Sequence, residues 1–269
     1  MDSLIYLYGL IPTKEMASVP SFPSLKGFGG KEEIFTIPMD TITAIVCTLD
    51  SNEHSEESIK ENIQNDMDWL QEKAFHHHET VAAFYKYFTI IPLKFCTIYK
   101  SEESLRHTVE INKGIVEKSF STLHGNEEWN LKIYCDDSVL KEYITNEDPV
   151  MQAKRNEINE LSPGRKFFEM KKLDRLAETQ LENEKNRICE EVHTVLTEFS
   201  LHAAIKKNWS KDATGRQEIM TWNSVFLLPE EGVERFLEQI QRFEKEMESR
   251  GWRLEASGPW PAYHFSSFA

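Results

Sequence analysis

The feature that most restricts this chain is a strand–helix–strand signal between Trp222 and Phe265. It opens with Val225-Phe226-Leu227-Leu228, an apolar run short enough and rich enough in β-formers to be a buried strand. Pro229, Glu230 and Glu231 then mark a helix start, because proline is tolerated in a first turn and carboxylates there face the positive end of the helix dipole. Val233, Phe236, Leu237, Ile240, Phe243 and Met247 recur at three- and four-residue steps and form one apolar stripe. Gly251, after Arg250, is the expected stop. Trp252, Leu254 and Ala256 next alternate with Arg253 and Glu255, the period of a half-buried strand. A stiff aromatic tail follows, Gly258-Pro259-Trp260-Pro261-Ala262-Tyr263-His264-Phe265. Two strands and a one-sided helix need other elements to cover them, and the preceding residues are expected to supply these.

Trp129 to Cys135 alternates as a strand, and residues 137–160 read as polar, surface-lying helix. Ser162-Pro163-Gly164 starts a long helix with Phe167, Leu173 and Leu176 early and Ile188, Val192, Val195 and Phe199 late. Its middle, Glu178 to Arg187, is almost wholly polar and is expected to project into solvent or meet another domain. Leu201 to Lys207 gives one more strand, and Gly215 a turn before the strand Ile219 to Leu228. The order is β-α-β-β-α-β, which predicts a ferredoxin-like domain over residues 125–257, with residues 258–269 as a tail packed on the domain junction.

The first half, residues 1–124, reads as a separate mixed α+β domain, so the fold class is two-domain α+β. Leu4–Ile11, Ile34–Ile37 and Ile42–Leu49 are predicted strands, with Pro38-Met39-Asp40-Thr41 as a turn. Residues 12–31, rich in Pro, Ser and Gly, are expected to form a loop. Ile59, Ile63, Met67, Leu70 and Ala74 form a stripe capped by Ser55 or Ser58, followed by a helical segment with Val81, Phe84, Tyr85 and Phe88. Thr89 to Tyr99 is expected to return as a strand, with Pro92 at a bulge, an edge or the strand's first residues. Ser101 then caps one helix that carries Leu105, Val109, Asn112, Val116, Phe120 and Leu123, and His124-Gly125-Asn126 is the expected hinge.

Composition narrows the functional classes. Among 269 residues, 40% are hydrophobic, enough for real cores, and the formal charge of −14 argues against a nucleic-acid groove or an anionic membrane surface as main partner. Cys47, Cys96, Cys135 and Cys189 are scattered without close pairing, which favours free thiols in a reducing compartment over disulfides or zinc. Leu4-Ile5-Tyr6-Leu7-Tyr8 has neither the basic region nor the apolar core of a signal peptide, so a soluble intracellular protein is expected.

Motif by motif, catalysis finds little support. His76-His77-His78-Glu79 puts adjacent histidines about 100° apart on a helix, so they cannot converge on one ion, and Ala82 stands where a zinc-protease pattern needs histidine. Ordinary interfacial or core-edge histidines are expected there. Gly27-Phe28-Gly29-Gly30-Lys31 has Leu25 and Glu32 where a phosphate cradle needs glycine and a hydroxyl, so it reads as a flexible loop. No nucleophile sits in an elbow context. Neither a catalytic site nor a metal or cofactor is expected. The aromatic tail is the remaining candidate: Trp260, Tyr263 and Phe265 carry large apolar area on a backbone stiffened by Pro259 and Pro261, and either cover a sheet or junction or meet a partner directly.

The segments NSVFLL (residues 223–228), GWRLEASGPWPAYHF (251–265), IIPLKF (90–95) and SPGRKFFEMKK (162–172) together resemble the gas-vesicle GvpF/GvpL family over nearly the whole chain, in the family's order. The resemblance implies a minor accessory protein, located with gas vesicles and in the cytoplasm, that helps to assemble the gas-filled shell and binds its small hydrophobic subunit. It also implies that the histidine near position 78 is structural. A soluble acidic protein with an apolar patch or a free sheet edge could keep such a subunit from aggregating. On this reading the partners are the shell protein and other accessory proteins, without nucleic acid or membrane, and the chain acts as a monomer. The alternatives are a purely structural wall component or a small-molecule enzyme of vesicle formation.

Overall fold

A computed structural model describes residues 3–18, 25–266 and 268. The chain forms two compact units, residues 1–128 with 259–269, and residues 129–258. Both mix helices with sheet.

The first unit contains β1 (Ser3–Pro12), a 3-10 turn (Thr13–Ser18), β2 (Phe35–Met39), β3 (Ile42–Asp50), α1 (Glu56–Asn65), α2 (Met67–Tyr85), β4 (Ile91–Pro92), β5 (Ile98–Tyr99), α3 (Glu102–Ile111) and α4 (Lys113–Leu123). Its sheet runs β2-β3-β1-β4, with β5 also paired to β1. β1 is the hub: it pairs antiparallel with β3 from Ser3↔Asp50 to Pro12↔Ile42, with a register shift between Leu7 and Gly9. From Ile5 onward β1 is buried, which explains why its sequence is apolar or aromatic at nearly every position rather than alternating.

Three expectations for this unit need correction. The stripe from Ile59 to Ala74 is not one helix, because Asp66 ends α1 in an extended conformation and caps α2 by accepting the Trp69 N–H. Met67, assigned to that stripe, is exposed. The helix after Ser101 likewise breaks at Asn112 into α3 and α4, and Ser101 forms a capping box with Ser104. Asp and Asn satisfy free backbone groups at helix ends, so a periodic apolar stripe can continue through a break that they make. Lastly, Thr89–Tyr99 is no continuous strand. β4 and β5 are two-residue bridges separated by a turn in which Cys96 has φ 62°, and Pro92, lacking a donor, sits in the sheet's end strand.

The glycine-rich segment is also more ordered than a flexible loop. Lys26 and Glu33 form a β-bridge, and Phe28 is fully buried, stacked on Tyr6 with ring centroids 4.5 Å apart. Pro20 and Pro23, counted in the predicted loop, lie outside the described residues.

The second unit's elements are β6 (Asn126–Cys135, of which 129 onward belongs here), α5 (Asp137–Glu147), α6 (Pro149–Asn159), α7 (Pro163–Thr197), β7 (His202–Ile205), α8 (Lys211–Thr214), β8 (Ile219–Pro229), α9 (Val233–Met247) and β9 (Trp252–Trp260, of which the residues up to 258 belong here). The sheet order is β7-β8-β6-β9. Leu131, Ile133, Phe226, Leu228, Trp252 and Leu254 from the strands share one core with Ile188, Val192 and Leu196 of α7 and Phe236 and Ile240 of α9. Gly251, at φ 85°, ends the last helical turn in the left-handed conformation.

The middle of α7 corrects another expectation in part. Most of Glu178–Arg187 faces solvent as expected, but one side of it is used within the same unit. Leu181 and Lys185 are buried, Lys141 of α5 pairs with Glu178, and Lys185 Nζ lies 3.2 Å from Asp137 and 2.7 Å from Glu182. The polar helices α5 and α6 place Leu140, Ile144, Met151 and Ile158 in the same core, so they form the cover for the lower half of α7.

Candidate partner-binding site

The three histidines of α2 divide their roles by angle. His76 Nε2 lies 3.0 Å from the Tyr8 hydroxyl, which is itself 3.7 Å from Cys47 Sγ. His77 is buried, and its hydrogen bonds determine its tautomer. Only Nε2–H can serve the Leu93 carbonyl at 3.0 Å, so Nδ1 accepts from the Tyr6 hydroxyl at 2.8 Å. The Tyr6 oxygen in turn accepts the Cys96 N–H at 3.2 Å. This chain ties α2, β1 and the turn before β5 together. Burial pushes the His77 pKa down to about 4, so the ring is neutral near pH 7.

His78 faces the C-terminal tail. Its ring centroid lies 5.6 Å from that of Trp260 and 6.3 Å from that of Tyr263. Pro261 and Ala262 between them are buried. The tail then turns, with Tyr263 N–H donating to the Pro261 carbonyl at 2.7 Å and Ser266 N–H to the Ala262 carbonyl at 3.1 Å. His264 N–H donates to the buried Glu128 carboxylate at 2.9 Å. Burial, with Glu128 close by, holds the Tyr263 hydroxyl well above the ordinary phenol pKa.

Two of the three tail residues singled out from sequence therefore share a brace. Trp260 and Tyr263 flank His78 and keep 37% and 39% of their surface exposed. Phe265 is half-buried and packs edge-on against His264, centroids 5.0 Å apart. The sequence pointed to a structural histidine near position 78 but not to its role as an anchor for the tail, and it did not find Glu128 as the other anchor. The adjacent-histidine run carried a usable signal for the first, since a 100° step sends the third ring to a different neighbour from the other two.

The arrangement presents fixed aromatic surface, and it contains no nucleophile poised beside a base. Elsewhere in this unit a groove of about 590 Å³ is lined by Thr13, Lys14, Glu15, Glu117, Phe120 and His124. Glu15 there accepts the Thr89 N–H at 2.7 Å, a structural use of its carboxylate. Among the described residues no group of three or more His, Cys, Asp or Glu is placed to hold a metal ion, and no helix is long and apolar enough to cross a membrane.

Comparison with known proteins gives a consistent result. The family model described as gas vesicle synthesis protein GvpL/GvpF matches residues 4–267. The chain is 19% identical over 228 residues to gas vesicle protein L of Streptomyces sp., covering 85% of this chain and 81% of that protein. It is 25% identical over 146 residues to gas vesicle protein F1 of Halobacterium salinarum, covering 54% and 62%. The crystal structure of GvpF from Anabaena sp. PCC7120 superposes with a TM-score of 0.72 at 19% identity, covering 99% of both chains. That of GvpF from Microcystis aeruginosa gives 0.66 at 18% identity, covering 99% and 100%. These two likenesses show the fold.

Proposed function

The chain belongs to the GvpL/GvpF family of gas vesicle synthesis proteins, and from that premise we propose that it is an accessory protein that binds the small hydrophobic shell subunit and limits its aggregation during vesicle assembly. A subunit destined for a water-excluding wall exposes apolar surface before incorporation, and a soluble acidic protein can shield it. The observation that supports this reading is the braced aromatic pair. Trp260 and Tyr263 remain over one-third exposed although Pro261, Ala262 and the His264–Glu128 hydrogen bond hold the backbone beneath them.

A prearranged aromatic surface of this kind binds with little ordering cost. Aromatic side chains bury about 150–250 Å² each, so the exposed third of two rings amounts to roughly 100–200 Å². At ~25 cal/mol per Å² its burial contributes about 3–5 kcal/mol, enough to make the pair a strong contact. In this reading the protein acts catalyst-free, as a monomer, in the cytoplasm where vesicles form. Co-expression with the shell protein followed by a pull-down tests it: the wild type should retain the subunit, and a Trp260→Ser/Tyr263→Ser variant should lose it. Equal retention by a folded variant would remove the tail from the binding surface. Retention by neither would remove the shell subunit as partner.

A further inference from the structure

The N-terminal turns of α7 carry the largest aromatic anomaly of the second unit. Phe167 and Phe168 are adjacent and 58% and 67% exposed, their rings edge-on with centroids 5.8 Å apart. Lys171 Nζ lies 4.7 Å from the Phe167 centroid. At ~100° per residue, Phe167, Lys171, Arg175, Phe168 and Lys172 fall on one outward face, while Leu173 and Ala177 on the opposite face enter the core. Beside them a groove of about 470 Å³ runs between α6 and α7, floored by Ile158, Leu173 and Leu176 and edged by Lys154, Lys172 and Arg175 together with Glu157 and Glu169, the last paired with Lys172 at 2.7 Å.

Charge decides what fits this face. The whole chain has 31 lysines and arginines against 45 acidic residues. From Pro149 to Leu176 the balance inverts to seven basic against four acidic. A helix covering its own core needs neither two exposed phenylalanines nor a local reversal of charge. Their combination is that of a protein interface, where aromatic and arginine residues are enriched and complementary charge directs the partner.

We propose that the α6–α7 face docks an acidic amphipathic helix of a partner protein, its apolar residues on Phe167 and Phe168 and its carboxylates against Arg165, Lys171, Lys172 and Arg175. Apolar residues three and four positions apart along such a helix match the spacing of adjacent ring and groove. An anionic membrane is a poorer fit, because Ile158, Leu173 and Leu176 lie in a groove that the apolar side chains of a helix can enter and a flat layer of lipid head groups cannot. This face is separate from the Trp260–Tyr263 surface, and the inference does not depend on shell-subunit binding.

The test uses the full-length protein and two synthetic 18-residue amphipathic helical peptides that share a leucine face, one with glutamates and one with lysines on the polar face. Fluorescence anisotropy should show the acidic peptide binding at least tenfold more tightly at low salt, with the preference shrinking as salt rises. Phe167→Ser/Phe168→Ser should abolish binding, and Lys171→Glu/Lys172→Glu should reverse the preference. These side chains are exposed, and an unchanged melting curve confirms that each variant folds. Equal affinity for both peptides, or wild-type affinity in the phenylalanine variant, overturns the proposal. So does flotation with phosphatidylglycerol vesicles without peptide preference, which would assign the face to lipid. So does phenylalanine-dependent self-association, which would assign it to a second copy. The shell-subunit pull-down with the same variants should be unchanged, so failure here and failure of the shell-binding reading are told apart.

Discussion

Replacing His77 by Phe removes the keystone of the first unit's polar network while nearly preserving ring volume. The substitution leaves two buried groups without their partners, the Tyr6 hydroxyl donor and the Leu93 carbonyl. Each costs about 1–3 kcal/mol when left unsatisfied, so the first unit should lose roughly 2–6 kcal/mol near pH 7. The same residue sets a pH dependence. Its folded pKa is about 4 against an ordinary 6.5, so between those values the unfolded chain binds a proton that the folded one does not. The stability associated with neutral His77 is complete above pH ~6.5 and falls as pH drops, by about 1.4 kcal/mol per unit, until pH ~4. From pH 7 to 5 the wild type therefore loses about 2 kcal/mol through this group, and the variant does not. Amide hydrogen exchange across β1 and α2 reads the opening free energy of this unit separately from the other. The gap between wild type and variant should narrow by about 2 kcal/mol at pH 5. A variant within about 0.5 kcal/mol of wild type at pH 7, or a gap independent of pH, would refute the network.

Three further substitutions probe packing. Phe236, fully buried with its ring 5.2 Å from Phe226, should cost about 3–5 kcal/mol when changed to Ala, read from exchange in β8 and α9; a cost below about 1 kcal/mol would show that the α9 stripe does not carry the core. Gly27→Ala would set a Cβ 2.6 Å from Cys47 Cβ and 3.2 Å from the Glu32 carbonyl, so it should cost about 1–3 kcal/mol by overpacking, whereas Gly30→Ala, which meets nothing within 4 Å and strains only its positive φ, should cost less; equal melting of the two would refute the close packing at Gly27.

What could be read from sequence follows from which physics is local. The strand–helix–strand stretch at the C-terminal end was legible because alternation and a 3.6-residue stripe are local signals, and both are strong between Val225 and Ala256. The breaks at Asp66 and Asn112 were missed because the apolar period continues through them, and only the capping chemistry of those two side chains reveals the interruption. One side of the middle of α7 was misread for the opposite reason. Glu178 and Lys185 look like solvent residues, and their use by Lys141 and Asp137 depends on α5 folding back over them. Phe28 sits among glycines that suggest flexibility, yet its ring fills the core beside Tyr6. The candidate site divides the same way: Trp260 and Tyr263 stand out by residue type, but their brace does not. The Glu128 carboxylate that holds the His264 N–H is 136 residues away in sequence, a separation that no periodicity spans.

The central claim concerns the shell subunit, and light scattering of that subunit alone and with this protein tests it most directly. Near-stoichiometric protein, without ATP, should hold scattering near baseline, and Trp260→Ser/Tyr263→Ser should let it rise toward that of the subunit alone. Scattering that climbs equally with and without the wild-type protein would contradict the account.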